Sequence, residues 1–447
     1  MSRHSDALRV QLANGPLAAR QLIEILGISQ PTLSRTLAEL GDEVVRLGAA
    51  RSIQYALRDG LRGLPDVAVY RVDVEGKIRV LGTLVPVRPE GFVMRQEDGE
   101  TRYSEGLPWW LFDMRPAGYL GRAYAARHGG ALGLPARLAD WSDTHALRAL
   151  LANGEDMVGN LLLGDVARDR FLAATLPAPI AETQKAERYA ALARAAAGGE
   201  QPGSSAGGEQ PKFVAYAATL AGPRHVLVKF SEPDAGPVGE RWRDLLLAEH
   251  LALETLREAG VPAATTRLID TAGQRFLEVE RFDRAGALGR RAVFSLSALD
   301  AEFVGAGGSN WPAIARRLVA ARVIVPQAAE SAALLWAFGT LIGNTDMHGG
   351  NLSFLSEQGP PCEIAPAYDM SPMGFAPRGG GGLPDALGDA AIDAGVANAT
   401  WRQAEALARA YLARVVVSGD FSRRFELCIA ALERRIETAG ERIARLG

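Results

Sequence analysis

Cysteine, lysine and long apolar runs are all scarce in this chain of 447 residues. Its two cysteines, Cys362 and Cys428, cannot build a disulfide framework and lack the spacing of a metal site, which is typical of a reducing compartment. No uncharged apolar run reaches the roughly 18 residues needed to cross a membrane. The N-terminal residues MSRHSDALRVQL contain no secretory apolar core. We therefore expect a cytoplasmic protein without a membrane partner.

Lysine makes up only four of the 49 basic residues, namely Lys77, Lys185, Lys212 and Lys229. Base composition of the gene can produce such a bias. Alternatively, a lysine that persists among so many arginines does what a guanidinium cannot, and contact of a compact ammonium with phosphate is one such role. For Lys185, which lies in an alanine-rich helical stretch, we predict an ordinary solvated helix residue.

Net charge and composition exclude few classes of protein. The formal net charge of −3 gives no global basic field, so any contact with nucleic acid must come from a local patch. Apolar residues make up 48% and charged residues 23% of the chain, as in ordinary globular proteins. Because the chain is long for a single core, we expect roughly two or three domains.

The first 57 residues predict the order helix, helix, turn, helix, hairpin. Its parts are helical patterns at residues 5–13 and 16–26, a break at Gly27, a third helix capped by Ser29 with Pro31 in its first turn, and short strands at 44–47 and 52–57. Leu33, Leu37 and Leu40 form the apolar stripe of the third helix. The order resembles a winged helix-turn-helix, and we assign it to residues 1–58.

The third helix is the candidate DNA-binding element of this module. With its leucines turned inward, Gln30, Thr32, Arg35 and Thr36 are predicted to point outward, and a third helix of this kind enters a major groove. Arg35 is the first candidate for a contact with a base or a phosphate. The alternative is a helical bundle that docks a protein.

The stretch GNTDMHGGNLSF at residues 343–354, followed by AYDMSP at 367–372, carries the chemistry. Asp346 and Asn351 have the D-x-x-x-x-N spacing of a kinase catalytic loop, in which the Asp takes the substrate hydroxyl's proton and the Asn holds magnesium. Asp369 supplies a second magnesium ligand, since Mg²⁺ prefers hard oxygen donors. Turn formers in a surface loop are the alternative.

Residues 198–212 form a glycine-rich loop that contains GGEQP twice and precedes strand-like sequence. Glycines allow backbone amides to approach phosphate closely, although such a loop can also be a plain linker. The next strand carries Lys229 and the following helical pattern carries Glu249, which could form the lysine–glutamate pair that orients ATP phosphates. The alternative for Glu249 is a solvated helix residue.

Two further segments complete the pattern. The strand FLEVERFDR at residues 276–284 leads into a charged turn, where the hinge between two lobes would fall. The stretch RGGGGLP at 378–384, just after Asp369, has four consecutive glycines and is predicted to be a mobile loop.

Taken together, the motifs SSAGGEQPK, VLVKF, AEHLALETLREAGV, EVERFDR, GNTDMHGGNLSF and AYDMSP resemble the HipA-like serine/threonine kinase toxin family over residues 62–440. With the N-terminal helix-turn-helix, the closest resemblance is to the YjjJ/HipH-type branch. This resemblance implies an α+β, two-lobed protein-kinase-like (HipA-like) fold behind a winged helix-turn-helix, with lobes at residues 62–281 and 282–447.

The resemblance also implies ligands and partners. These are ATP and Mg²⁺, a protein serine or threonine as acceptor, a translation factor such as an aminoacyl-tRNA synthetase as target, DNA at the N-terminal domain, and a separate antitoxin protein. The family also inactivates itself by phosphorylating a serine in its glycine-rich loop.

Site residues follow from the resemblance by position. They are Asp346 and His348 for catalysis, Asn351 and Asp369 for the metal, Lys229, Glu249, Glu280, Phe282, Ser205, Gly207 and Gly208 for ATP, and Ser205 or Ser204 for autophosphorylation. One departure is that Gly349 and Gly350 stand where related loops often carry a positive charge before the magnesium Asn. Two alternatives stay open: a nucleotide-responsive transcriptional regulator with a weakly active kinase fold, and a small-molecule kinase.

Overall fold

Each part of the chain is built around a sheet of its own. A computed structural model describes residues 3–48, 53–197, 210–233, 236–271, 273–308, 310–357 and 359–446. In these ranges no helix is both long and apolar enough to cross a membrane.

The N-terminal part has the predicted order of elements. They are α1 (Arg3–Leu12), β1 (Leu17–Ala18), α2 (Ala19–Leu26), α3 (Gln30–Leu40), β2 (Val44–Leu47) and β3 (Gln54–Leu57), with strand order β1-β3-β2. The Ser29 hydroxyl accepts a hydrogen bond from the Thr32 N–H at 3.4 Å, and Pro31 lies in the first turn, so the predicted cap of α3 is confirmed. Leu8, Leu22 and Leu33 are among the fully buried residues of this core.

The face that α3 presents differs from the prediction at one position. Thr36 is buried, with its hydroxyl donating to the Thr32 carbonyl, so the prediction that Thr36 points outward is wrong. Thr36 lies three residues after Leu33 and therefore shares its inward face, whereas Leu37 is only half-buried. Gln30 and Arg35 are exposed, as predicted, and Thr32 is half-buried.

The middle part contains a sheet with helices packed against it. Its elements are β4 (Val67–Val72), β5 (Ile78–Val87), β6 (Gly91–Gln96), β7 (Thr101–Ser104), α4 (Gly118–His128), α5 (Asp143–Asn153), β8 (Leu161–Leu163) and α6 (Gly164–Ala173), with strand order β7-β6-β5-β4-β8.

The β2–β3 hairpin, predicted as a wing, packs against this middle sheet. Val45 and Ala56 share one buried cluster with Val85 and Val93 of the middle sheet. The Gly48 N–H, at the end of the hairpin's first strand, donates to the hydroxyl of Thr101 at 2.7 Å. The hairpin therefore joins the N-terminal part to the middle part through an apolar core.

A second sheet follows in the chain. Its elements are α7 (Lys185–Ala197), β9 (Lys212–Thr219), β10 (Gly222–Phe230), α8 (Pro237–Glu258), β11 (Thr266–Thr271) and β12 (Gln274–Glu280), with strand order β11-β12-β10-β9. This sheet and the middle sheet both fall within residues 62–281, which the sequence assigns to one lobe. The domain boundaries themselves remain predictions.

Lys185 does not have the environment that we predicted. It is buried, and its ammonium lies 2.7 Å from the Glu278 carboxylate, which also accepts the hydroxyl of Tyr189 at 2.5 Å. The prediction of a solvated helix lysine is wrong because α7 packs this face against the back of the sheet. A charge buried there is tolerated because it is paired.

The C-terminal part is mostly helical. Its elements are β13 (Arg284–Ala285), β14 (Gly289–Arg290), β15 (Ala292–Ser295), α9 (Leu296–Phe303), α10 (Trp311–Ala320), α11 (Pro326–Ile342), β16 (Ser353–Ser356), β17 (Glu363–Ile364), α12 (Asn398–Val417) and α13 (Glu426–Ala444). Helix α11 is apolar nearly all round and lies in the core among Trp311, Trp401 and Tyr411. It thereby provides a rigid support for the loop that follows it.

Candidate active site

The loop that contains Asp346 begins where α11 ends. Gly343 takes the left-handed conformation at φ 79°, which suits glycine, and the chain turns away from the helix. The next residue, Asn344, is buried; its side-chain oxygen accepts the Asp346 N–H at 3.0 Å and its amide donates to the Asp369 carbonyl at 3.1 Å. Asn344 therefore ties both predicted aspartates to one helix end. From the sequence, Asn344 was considered only as a possible turn former.

The carboxylate of Asp346 is half-exposed and faces a histidine. His348 Nδ1 accepts the Gly350 N–H at 3.0 Å, which leaves the other ring nitrogen 3.9 Å from the Asp346 carboxylate. Partial burial raises the pKa of Asp346 and the nearby Asp369 carboxylate adds to the rise, whereas His348 and Lys229 oppose it. Asp346 is thus reachable from solvent and electrostatically linked to the buried groups behind it.

Asn351 has the features of a metal ligand. Its side chain is buried and its amide group donates to the Asp346 carbonyl at 2.8 Å, which determines where its oxygen points. That oxygen is buried and has no hydrogen-bond partner among the residues that the structure describes. Since a buried acceptor left unpaired costs free energy, a bound cation would supply what is missing.

Asp369 lies beside the Asp346 loop, because its carbonyl accepts the Asn344 amide. Its φ of 54° is rare for a residue other than glycine, and such strain is concentrated at functional sites. Burial alone would raise the pKa of Asp369, but the ammonium groups of Lys229 and Lys212 outweigh it and hold the pKa below its ordinary value. The carboxylate therefore stays ionised and available to a cation.

The candidate metal ligands at this site are few. In the described ranges, no group of three or more His, Cys, Asp or Glu side chains could hold a metal ion. Asn351 and Asp369 fit Mg²⁺, which is usually held by one or two protein oxygens together with water and substrate phosphates.

The predicted lysine–glutamate pair is present. The Lys229 ammonium on β10 lies 2.6 and 2.8 Å from the two Glu249 carboxylate oxygens on α8 and also contacts the carboxylate of Asp369. Although burial opposes its charge, the two carboxylates raise the pKa of Lys229. Glu249 is therefore not a solvated helix residue.

Lys212 is a second buried lysine of the same site. It pairs with Lys229 across the β9–β10 ladder and lines the same cleft. Burial raises the pKa of Glu249, and Lys212 partly opposes that rise; burial would also raise the pKa of Asp369, but Lys229 and Lys212 together lower it. No specific role was predicted for Lys212 from the sequence. The scarcity of lysine was a signal for such a role, because three of the four lysines are buried and only Lys77 is exposed.

The cleft between the second sheet and the helical part brings together some of these residues, whereas Asp346, His348 and Asn351 are not among its lining residues. Its lining includes Lys229, Glu249, Asp369 and the predicted hinge residues Glu280 and Phe282. Two other lining residues were not predicted. Val158 comes from the middle part, and Tyr368 packs its ring 5.6 Å from the ring of Phe282 while its hydroxyl donates to the Gly350 carbonyl.

Four predicted residues lie outside the part of the chain that the structure describes. They are Ser204, Ser205, Gly207 and Gly208 of the glycine-rich loop. Helix α7 leads into this loop and strand β9 follows it, with Lys212 at the start of that strand.

Comparison with known proteins agrees with this arrangement. Family models match as follows: the HipA-like C-terminal domain at residues 204–438, the middle domain of YjjJ-like toxins at 64–172, and the arsR family of bacterial regulatory proteins at 10–43. The toxin YjjJ of Escherichia coli (strain K12) is 40% identical over 439 residues, which is 98% of this chain and 98% of that protein. The chain belongs to the HipA-like toxin family.

A solved structure confirms the HipA-like fold. The toxin HipA of Shewanella oneidensis MR-1, determined in a complex with HipB and its operator DNA, matches with a TM-score of 0.51 and 17% identity. The match covers 84% of this chain and 97% of that chain. The predicted α+β, two-lobed architecture is therefore confirmed, together with the N-terminal helix-turn-helix.

The first of the two loop glycines in this HipA-like chain has a packing reason. A Cβ added to Gly349 would lie 2.6 Å from the Ser297 hydroxyl oxygen and 3.0 Å from the Ser297 backbone nitrogen. A side chain at Gly349 would press on the start of α9, so Ser297 would have to shift to admit it. Restoring at Gly349 the positive charge that related loops often carry would therefore strain this contact.

Below the hinge of the HipA-like fold lies a buried ion cluster. The Asp283 carboxylate accepts from Arg281 at 2.7 Å, from Arg284 at 2.6 Å and from the Gly159 N–H at 3.2 Å. Burial alone would raise the pKa of Asp283, but the two guanidinium groups outweigh it and lower the pKa strongly. Arg284 also donates to the Met157 carbonyl at 2.7 Å, so the cluster joins the hinge to the middle part beside Val158.

We expect Asp283→Asn to lower the free energy of unfolding by about 3–5 kcal/mol at pH 7, because Arg281 and Arg284 lose their buried counterion. The ionised carboxylate stabilises the fold because its pKa is lower in the folded than in the unfolded chain. This stabilisation is fully present above about pH 4 and is lost as the pH falls toward the lowered pKa. Urea unfolding from pH 7 to pH 3 measures it.

The difference in the free energy of unfolding between wild type and Asp283→Asn should therefore shrink only below about pH 4. The control is Asp140→Asn, which breaks an exposed ion pair with Arg137 and should cost less than about 1 kcal/mol. A difference between wild type and Asp283→Asn that stays constant down to pH 3 would contradict the lowered pKa of Asp283.

Proposed function

We propose that this HipA-like chain is an ATP- and Mg²⁺-dependent serine/threonine protein kinase. The observation that carries the proposal is that a buried lysine–glutamate pair and an ionised aspartate line one cleft, and that the loop tied to this aspartate through Asn344 carries an unpaired buried amide oxygen. Lys229 with Glu249 fits the binding of phosphates, and Asn351 with Asp369 fits the binding of the cation.

Each residue would have a separate task. Bound Mg–ATP supplies the phosphoryl group and the cation that neutralises developing charge. Lys229 would hold the phosphates in place, oriented by Glu249. Asp346, exposed and with a raised pKa, would orient the acceptor hydroxyl and take its proton. His348 would limit the movement of the Asp346 carboxylate from a distance of 3.9 Å.

Protein serine or threonine is the acceptor that we propose. The relative YjjJ is named a toxin, and the family resemblance implies a translation factor, such as an aminoacyl-tRNA synthetase, as the target. Ser205, or Ser204 beside it, would be the site of autophosphorylation. About two negative charges added there would repel ATP phosphates from the same loop and inactivate the enzyme.

Purified protein incubated with γ-labelled ATP and MgCl₂ tests this function directly. We expect label on a serine of the chain, mapped by mass spectrometry to residues 198–212, and none after chelation of Mg²⁺. Asp346→Ala serves as the control for contaminating kinases. ATP binding without phosphate transfer would support a nucleotide-responsive regulator, and label on a soluble metabolite would support a small-molecule kinase.

We also propose that α3 contacts DNA. The proposal is supported by the helix-turn-helix match at residues 10–43, by the exposure of Gln30 and Arg35, and by the determination of the Shewanella HipA together with HipB and operator DNA. A separate HipB-like antitoxin is the partner that this neighbour suggests.

Arg35→Ala should weaken binding to the promoter DNA of the chain's own gene about tenfold, because one base or phosphate contact is lost. Fluorescence anisotropy at a fixed salt concentration measures the affinity. Arg79→Ala, which removes an exposed arginine from the middle sheet, is the matched control and should leave it unchanged. Equal DNA affinities for wild type and Arg35→Ala would show that Arg35 does not contact the DNA.

A further inference from the structure

The stretch that follows the Asp369 motif contains no residue that can be phosphorylated on a hydroxyl. Residues 373–397, which run from the end of AYDMSP to the start of α12, include no Ser, Thr or Tyr. In many kinases the corresponding segment is ordered by a phosphorylated residue that pairs with arginine. We call this stretch the 373–397 segment; its ordering here must have another source.

Arginine side chains hold the segment by its backbone instead. The Arg241 guanidinium on α8 is buried and donates to the carbonyls of Phe375 at 2.8 Å and Pro384 at 2.5 Å. These carbonyls lie near the start and the middle of the segment, so one side chain closes a nine-residue span. Both hydrogen bonds come from one nitrogen, Nη1, at the far end of the side chain. The ammonium of a lysine at this position would lie closer to the helix, because the lysine side chain is shorter, and would not reach both carbonyls.

Two arginines of α13 hold the later half. Arg435 donates to the Gly388 carbonyl and, at 2.8 Å, to the Thr340 carbonyl near the end of α11. Arg442 donates to the Ala390 carbonyl at 3.1 Å. The segment is therefore attached to the same helix end from which the catalytic loop departs. The glycine turn that was predicted to be mobile is only its exposed tip.

An apolar contact reinforces this attachment. Leu387 packs into the space left by Gly343 and Gly374: a Cβ on either glycine would lie 2.7 or 2.5 Å from a Leu387 methyl carbon. The Gly374 N–H also donates to the Gly343 carbonyl at 2.9 Å. Leu387 thus fits against the base of the loop that carries Asp346.

Helix α8 connects this arrangement to the nucleotide cleft. Arg241 lies eight residues before Glu249 on the same helix, which places the two side chains about 12 Å apart along the axis. Glu249 contacts Lys229, and Arg241 contacts the segment. Because α8 carries both Glu249 and Arg241, the position of the 373–397 segment is linked to the position of the Lys229–Glu249 pair.

We propose that Arg241 is a positioning residue that holds the 373–397 segment permanently in the place for acceptor binding, so that no phosphorylation within the segment is needed to assemble it. The inference rests on the proposed kinase function. It predicts that the catalytic lobe is constitutively assembled and that control of the enzyme lies outside this segment.

The test is Arg241→Lys in the full chain, with Arg243→Lys as the matched control. Arg243 lies on the same helix and donates to the Gly273 carbonyl at the surface. The acceptor is a synthetic peptide with the sequence of residues 198–212. For Arg241→Lys we expect kcat/KM for the peptide to fall at least tenfold while the affinity for Mg–ATP stays within about twofold. Arg243→Lys should behave as wild type.

Hydrogen exchange gives a readout that does not depend on activity. Amides in residues 376–392 should exchange faster in Arg241→Lys than in wild type, whereas those of α8 should not change. Leu387→Ala, which removes no charge, should give the same two effects. Unchanged exchange in Arg241→Lys, or an equal loss of Mg–ATP affinity, would overturn the proposal. A wild type that exchanges as expected but transfers no phosphate would instead refute the kinase function.

Discussion

Asp346→Ala should lower the rate of phosphate transfer about 10²- to 10⁴-fold and leave the affinity for Mg–ATP within about twofold. Asp346 is the exposed carboxylate of the site, and its backbone N–H and carbonyl are held by Asn344 and Asn351. Removing its carboxylate would therefore remove the group that we propose to take the acceptor proton and leave Asn351, the proposed cation ligand, in place. Single-turnover transfer with isothermal titration of Mg–ATP separates the two quantities.

Asp346→Asn is the closer control, because it keeps the shape of the side chain and loses only its basicity. We expect it to be almost as slow as Asp346→Ala. His348→Ala should be slowed less, about tenfold, since the imidazole acts only through Asp346. An Asp346→Asn enzyme that transfers phosphate at the wild-type rate would exclude general-base chemistry and favour a role in nucleotide binding alone.

Lys229→Met should abolish detectable Mg–ATP binding and lower the free energy of unfolding by about 3–5 kcal/mol. The methionine fills the space of the lysine stem but leaves the carboxylates of Glu249 and Asp369 without the ammonium that contacts both, so that only Lys212 remains to balance them. Both effects arise from the same ammonium, which balances the charge in the free protein and would contact phosphate in the complex.

The double variant Lys229→Met/Glu249→Gln distinguishes these two roles. With the Glu249 charge also removed, about half of the lost stability should return, while Mg–ATP binding stays absent. Lys77→Met, at an exposed lysine, should change neither quantity. If the stability losses of Lys229→Met and of Glu249→Gln, each measured alone, simply add in the double variant, the buried pair is not coupled as the structure indicates.

Motif spacing was enough to predict the site where the chemistry requires particular side chains at particular separations. Asp346, Asn351 and Asp369 belong to short motifs that follow one helix. The structure places Asp369 in one cleft with Lys229 and Glu249, and Asn344 joins the Asp346 loop to Asp369. The prediction failed where burial decided the outcome. Lys185 lies in a stretch of helical sequence that does not reveal which face packs against the back of a sheet.

The same limit explains the residues that were missed. Val158 reaches the cleft from a part of the chain more than a hundred residues away from the hinge, and Lys212 acquires its role through pairing with the neighbouring strand. Thr36 was placed outward because it is not part of the leucine stripe of α3, whereas the face of α3 that it shares with Leu33 determined its burial. Such contacts join residues that are distant in sequence or depend on the packing of a single helix face.

The sequence by itself determined which side chains could carry the proposed phosphate transfer, through the spacing of the acidic and amide side chains and the lysine and glutamate on successive elements. It also determined the order of the parts, with the helix-turn-helix ahead of the others. Only the tertiary structure decided how these parts are joined. It showed the predicted wing packed against the middle sheet, the hinge tied to that sheet through Asp283, and the 373–397 segment held by Arg241. The reason is that local motifs depend on separations of a few residues, whereas burial and long-range ion pairs exist only after the chain has packed.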